Sequence, residues 1–314
     1  MTTIPGTDLD VFPLCFGGNV LGWTADRDAS FAVLDAYAAA GGNFLDTADM
    51  YGDWVPGNEP GASERIIGEW MAARGNRDAI VVATKVGGDA DLKAETIRTH
   101  VEISLERLRT DRIDLYYAHW PDADTPLEET LGAFDALVRA GKVRHVAVSN
   151  FDAALLTETL AICDREGFAR PVALQPHYNL MKRDDYEGAL QQLAVRERLA
   201  VFPYYALGSG FLTGKYRTGG PAVESARAGG AGRYLEDPRA PAVLAALDEI
   251  AAAHDTSVAA VALAWLLAQP GIVAPIASAR TPAQLAELLP CADLRLAGEE
   301  LARLSAASEL VPTP

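Results

Sequence analysis

No stretch of this chain approaches the roughly 18 consecutive apolar residues that mark a membrane-spanning helix, so a membrane protein is not expected. The first residues lack the basic-then-apolar order of a signal peptide, and the expectation is a cytoplasmic protein. Cysteine is scarce. Cys15, Cys163 and Cys291 are odd in number, far apart and without metal-ligand spacing, which reads as free, packing thiols rather than a disulfide framework. Basic residues are outnumbered: 27 Lys and Arg against 43 Asp and Glu leave a formal charge of −16, which repels polyanions and argues against a nucleic-acid partner. There is no low-complexity tract, no defensible interdomain linker and no repeat longer than one strand plus one helix.

What is present is an ample core, with 49% hydrophobic residues, in a chain of 314 that one (β/α)8 barrel can accommodate. A single domain over residues 1–314 is expected. A turn at Pro5-Gly6-Thr7-Asp8 predicts an N-terminal β-hairpin. Strands then alternate with helices. Apolar runs predict strands at Pro13–Gly18, around Leu45, at Ile80–Thr84, Ile113–Ala118, Val143–Ser149, Val172–Gln175, Leu199–Tyr205 and Ile272–Ala277. Helical spacing fills the intervals near 61–74, 94–109, 126–140, 153–166 and 186–199 and at Val258–Leu267, with an extra helix near 241–253 among the extra helices expected toward the C-terminus. Thr125-Pro126-Leu127-Glu128 and Thr281-Pro282-Ala283-Gln284 both read as capping boxes. Eight parallel strands separated by helices predict an α/β TIM barrel rather than an open sheet, with its reaction site at the carboxyl ends of the strands. Residues 208–240 form a long Gly-rich connection that reads as a lid.

Three consecutive strands end in chemistry. The first delivers Asp46 and, five residues later, Tyr51; the next runs into Lys85; the third runs into His119. Parallel strands lie about 4.8 Å apart, so these groups can share one pocket. An ammonium beside a phenol favours the phenolate, and Asp46 can hold that ammonium in place, which predicts a proton-donating Tyr51 of lowered pKa. His119 can hydrogen-bond the same substrate oxygen, and the set suits carbonyl reduction. The rival is a metal-dependent hydrolase using His119, His145 and His177. It is disfavoured because His145 falls early in its strand and strand one has no His-x-His pair, so no metal site is expected.

Asp46-Thr47-Ala48-Asp49-Met50-Tyr51-Gly52, Ala83-Thr84-Lys85 and Ala118-His119-Trp120-Pro121 resemble the tetrad segments of the aldo-keto reductase superfamily, and the likeness extends over nearly the whole chain. The resemblance implies NADPH-dependent reduction of an aldehyde or ketone, with catalytic residues Asp46, Tyr51, Lys85 and His119. It implies that Gly18, Asn19 and Asp46 contact the cofactor, that Ser149, Asn150 and Gln175 grip the nicotinamide carboxamide, and that the nicotinamide stacks on Tyr204. Leu207, Ser209, Leu212 and Lys215 match the pyrophosphate-holding segment, and Ser278, Arg280 and Gln284 the adenosine end. The fork of donors on Arg280 suits a 2′-phosphate and favours NADPH over NADH. Ser278 stands where the family usually has glycine, and Leu288 where an asparagine is common. Trp23, Trp54 and Trp120, with Tyr51 and His119, are expected to line the substrate pocket, unless the tryptophans pack beneath their loops. Sugars, small aldehydes, quinones, pyridoxal and steroids all stay open as substrates. The alternative function is a nicotinamide-binding, redox-sensing partner subunit with little turnover.

Overall fold

The computed structural model describes residues 1–219 and 225–309. A hairpin of β1 (Thr2–Thr3) and β2 (Asp10–Val11) precedes an eight-stranded parallel sheet. Its strands are β3 (Cys15–Gly17), β4 (Phe44–Asp46), β5 (Val81–Val86), β6 (Ile113–Ala118), β7 (Val143–Ser149), β8 (Ala173–Gln175), β9 (Ala200–Val201) and β10 (Ile276–Ala277). They neighbour one another in chain order, and β10 returns to β3. The remaining seam is closed by backbone bonds: Val201 N–H donates to the Gly271 carbonyl (3.0 Å), and Val273 N–H to the Val201 carbonyl (3.0 Å). The sheet is the barrel that the alternating pattern predicts.

Helices α1 (Arg27–Ala39), α2 (Ala62–Arg74), α3 (Ala94–Leu108), α4 (Leu127–Arg139), α5 (Ala153–Glu166) and α6 (Ala189–Arg196) connect successive strands. After β9 come α7 (Ala228–Leu235), α8 (Ala240–Ala253) and α9 (Val258–Leu267), and after β10 come α10 (Pro282–Leu288) and α11 (Gly298–Ala307). Among the described residues no single helix is long and apolar enough to cross a membrane.

The period-2 alternation of a strand sorts the side chains into two cores. Outward residues such as Leu45, Val82, Tyr116 and Val148 pack against the helices. Inward residues fill the barrel, where Phe44, Leu115, Tyr117 and Phe202 are large and Ala83, Ala147, Ala173 and Ala200 leave room for them. Ile4, Leu9 and Val11 of the hairpin complete that inner core from below. Arg144 binds Asp8 (2.7 Å) and buried Asp114 (2.9 Å), tying the hairpin to β6 and β7.

Several boundaries differ from the sequence reading. The segment 186–199 starts its helix only at Ala189, because Gly188 sits at φ 97. At Thr281 the hydroxyl accepts from the Gln284 N–H (3.2 Å) as expected, but the Gln284 side chain accepts from the Arg280 N–H (3.0 Å) rather than from Thr281, so the box is only half formed. Thr125 caps nothing: its hydroxyl donates to Asp122 (2.6 Å), and α4 begins without a side-chain cap. The supposed loop 208–240 contains α7, although residues 220–224 of it lie outside the described residues. Glycines weaken a helix by about 1 kcal/mol each, so packing must hold this one. Ala231 is fully buried, Tyr234 stacks on Phe211 at 5.6 Å, and a Cβ on Gly230 would lie 3.0 Å from the Ser209 hydroxyl.

Candidate active site

Register sets which ends meet. Asp46 pairs with Gly17 on one side and Ala83 on the other, Lys85 with Tyr117, and Ser149 with Gln175. Asp46, Lys85 and Gln175 therefore continue the inward rows of Phe44, Ala83 and Ala173, at the carboxyl end of the barrel. The Lys85 ammonium is fully buried and donates to Asp46 Oδ2 (2.7 Å), the Thr47 carbonyl (2.7 Å) and the Tyr51 hydroxyl (3.1 Å). Gln175 Nε2 donates to the other Asp46 oxygen (2.8 Å). The expected convergence of Asp46, Tyr51 and Lys85 is present, and the His119 ring stands 6.0 Å from that of Tyr51.

Burial acts against the Lys85 charge, but the Asp46 carboxylate and Tyr51 outweigh it and raise its pKa. For Tyr51, burial is the largest influence and pushes the phenol up; Lys85 pulls it down without reversing the direction. The expectation of a phenol brought below its ordinary value is thus corrected, since the cost of burying a phenolate exceeds the help from one cation. Tyr51 is protonated at neutral pH, the state that a proton donor needs. His119 is held down to about 3 by burial and by the nearby Lys85, so its ring is neutral. Its buried Nδ1 has no partner among the described residues.

Above this floor opens a cavity of about 1190 Å³. Ser149, Asn150 and Tyr204 form one wall, with Asn150 donating to the His119 carbonyl (2.9 Å) and accepting from the Tyr204 hydroxyl (2.7 Å). Asn19, Leu207, Ser209, Lys215, Ser278, Arg280 and Gln284 also line it. Gly18 and Leu212 do not: Gly18 is backed against Ser63 and the Asp46 carbonyl, and Leu212 is buried in the outer core. Trp23, Trp54 and Trp120 all reach the cavity, and the last two are 44% and 48% exposed, which decides for the rim against packing beneath the loops. Trp54 lies 6.1 Å from Tyr51 and 5.7 Å from Trp23, on a loop braced by Asn58, which donates to the carbonyls of Gly22 (2.7 Å) and Gly52 (3.1 Å). His177 lines the cavity too, whereas His145 sits beside Asp8 (3.6 Å) at the hairpin end.

Several cavity residues have no counterpart in the sequence reading, and one of them is a cation. Arg227, just before α7, lies 5.7 Å over the Trp23 ring and donates to Asn19 Oδ1 (2.9 Å), which also accepts from the Ser278 hydroxyl (2.9 Å). Nothing in the sequence sets Arg227 apart from Arg217, Arg233 and Arg239 in the same Gly-rich stretch. Most arginines of this acidic chain are paired with carboxylates, yet Lys215, Arg227 and Arg280 line the cavity with no carboxylate partner among the described residues. That donor set fits a ligand carrying several negative charges.

A closed parallel barrel, with a carboxylate, an ammonium and a phenol chained together at its carboxyl-terminal mouth, has the form of a barrel enzyme. Comparison with known proteins gives the class its family. The Aldo/keto reductase family model matches residues 13–309. "Protein tas" of Escherichia coli is 31% identical over 99% of this chain and 98% of its own length. Norsolorinic acid reductase stcV of Emericella nidulans is 32% identical over 95% of this chain and 78% of its own. Aryl-alcohol dehydrogenase [NADP(+)] of Phanerodontia chrysosporium is 32% identical over 95% and 82%. The chain belongs to the aldo/keto reductase family, whose oxidoreductases generally use NAD(P)H and act on small carbonyl compounds.

Proposed function

We propose that this single-domain protein reduces an aromatic aldehyde or ketone to the alcohol at the expense of NADPH, with Tyr51 as general acid. The observation that carries the reading is the buried run from Asp46 through Lys85 to Tyr51 beneath a cavity lined with cations that have no carboxylate partner among the described residues. Ser149, Asn150, Gln175 and Tyr204 would orient the nicotinamide, Leu207, Ser209, Lys215 and Arg227 the diphosphate, and Arg280 and Gln284 the adenosine end. A bound reduced nicotinamide supplies hydride. Neutral His119 and protonated Tyr51 hydrogen-bond the substrate oxygen, and Tyr51 gives up its proton there as negative charge develops. Lys85 then faces the phenolate, and Asp46 keeps Lys85 charged throughout. The aromatic preference is supported by the exposed Trp54 and Trp120 flanking Tyr51 and His119, and by a relative named for an aryl alcohol.

The test is a panel of aryl and alkyl aldehydes assayed with both reduced nicotinamides. Aryl aldehydes should give the higher kcat/KM, and tight cofactor binding with no turnover on any of them would favour the redox-sensing subunit instead. With His119 neutral and Tyr51 protonated, kcat for reduction is expected to be flat through neutral pH and to fall only above the ordinary tyrosine value of about 10. A fall centred near neutrality would identify a different acid. Arg280→Leu is expected to weaken NADPH binding by roughly 10–100-fold, as for loss of a charge-assisted hydrogen bond, while NADH binding stays nearly constant. Titration of cofactor fluorescence reads both.

A further inference from the structure

Beneath the site, on the side away from the cavity, Arg107 of α3 occupies the space between the turn that carries Tyr51 and the first turn of α2. Its Nη1 donates to the Asp49 carbonyl (2.8 Å) and to Glu64 Oε2 (3.2 Å). Glu64 is fully buried, and its other oxygen accepts from the hydroxyl of Thr84, the residue before Lys85 (2.7 Å). Asp49 N–H donates to the Lys85 carbonyl (3.2 Å), and the Asp49 carboxylate is bonded to His100 (2.7 Å). At Gly61, the residue just before α2, a Cβ would fall 2.3 Å from Arg107 Nη1, so the guanidinium fills the space that a side chain there would take. The turn from Thr47 to Tyr51 is thus attached from below by Lys85 at one end, by Arg107 in the middle, and by Ser63 N–H donating to the Tyr51 carbonyl (3.2 Å) at the other.

We infer that Arg107 is a positioning residue for the reaction: through the Asp49 carbonyl and Glu64 it sets the height of the Tyr51 hydroxyl relative to the Lys85 ammonium. The inference rests on Tyr51 being the proton donor. Arg107 is absent from the cavity wall, so it touches neither cofactor nor substrate. A single nitrogen, Nη1, reaches both a backbone carbonyl and a carboxylate at the end of the long arginine side chain, and an ammonium on a shorter reach does this less well. The catalytic demand on geometry is steep, with a displacement of about 1 Å worth about 100-fold in rate.

Arg107→Met is expected to lower kcat by roughly 30–100-fold, with aldehyde KM and NADPH Kd within about threefold of the parent. Arg107→Lys, which keeps a charge and a donor, should recover most of that loss and remain about 3–10-fold slow with the same split. Where Arg107→Met fails to fold, Arg107→Lys carries the test alone. A folded Arg107→Lys with the parent kcat, or a loss expressed in cofactor Kd rather than kcat, would overturn the inference. Tyr51→Phe in the same assay keeps the two levels apart: if it retains turnover, the assignment of the acid is wrong, and if only the Arg107 variants do, the positioning role alone is wrong.

Discussion

Tyr51→Phe is expected to lower kcat for aldehyde reduction by about 100- to 10,000-fold while leaving NADPH Kd nearly constant, the range for loss of a general acid. The substitution removes one oxygen. That oxygen is the acceptor of only the longest of the three Lys85 bonds, at 3.1 Å, so the ammonium keeps Asp46 and the Thr47 carbonyl, and the ion pair survives. The ring keeps its place 6.1 Å from Trp54 and 6.0 Å from His119. Cofactor would still be gripped by groups along the rest of the cavity, none of which touches the phenol oxygen. Stopped-flow absorbance at saturating NADPH separates the lost chemistry from retained binding.

Lys85→Met is expected to lose turnover to a similar degree and, unlike Tyr51→Phe, to destabilise the fold by about 3–5 kcal/mol, the usual result of stranding one member of a buried pair. Asp46 would be left 2% exposed with Gln175 as its remaining side-chain partner. Adding Asp46→Asn removes the stranded charge, so the double variant should recover much of the stability and none of the activity. Denaturant titration beside the turnover assay reads both, and independent, additive effects of the two substitutions on stability would contradict the coupling.

Much of this arrangement could be read in advance because it depends on short-range regularities. Inward and outward rows alternate with period two, so a carboxylate ending one apolar run and a lysine ending the next were bound to meet once the strands were parallel neighbours. The hairpin turn and the Thr281 cap are likewise local. What escaped depends on packing between distant segments. The glycines of α7 argue for a loop, and only the contacts of Ala231, Tyr234 and Gly230 hold it helical. Thr125 has the spacing of a cap, but Asp122 takes its hydroxyl. Arg227 enters the cavity by contacts with Trp23 and Asn19, more than 200 residues earlier. The direction of the Tyr51 shift was misjudged because a sequence names the neighbouring cation but not the depth of burial that opposes it.

The central claim is that hydride from a nicotinamide and the proton of Tyr51 meet on one carbonyl at the mouth of the barrel. Reduction of an aryl aldehyde with NADPH deuterated at the transferable position tests it most directly, with the alcohol analysed by mass spectrometry. One deuterium on the alcohol carbon from the parent enzyme, and virtually none in the same time from Tyr51→Phe, is the expected result. Alcohol formed without deuterium, or labelled at the parent rate by the Tyr51→Phe variant, would contradict the account.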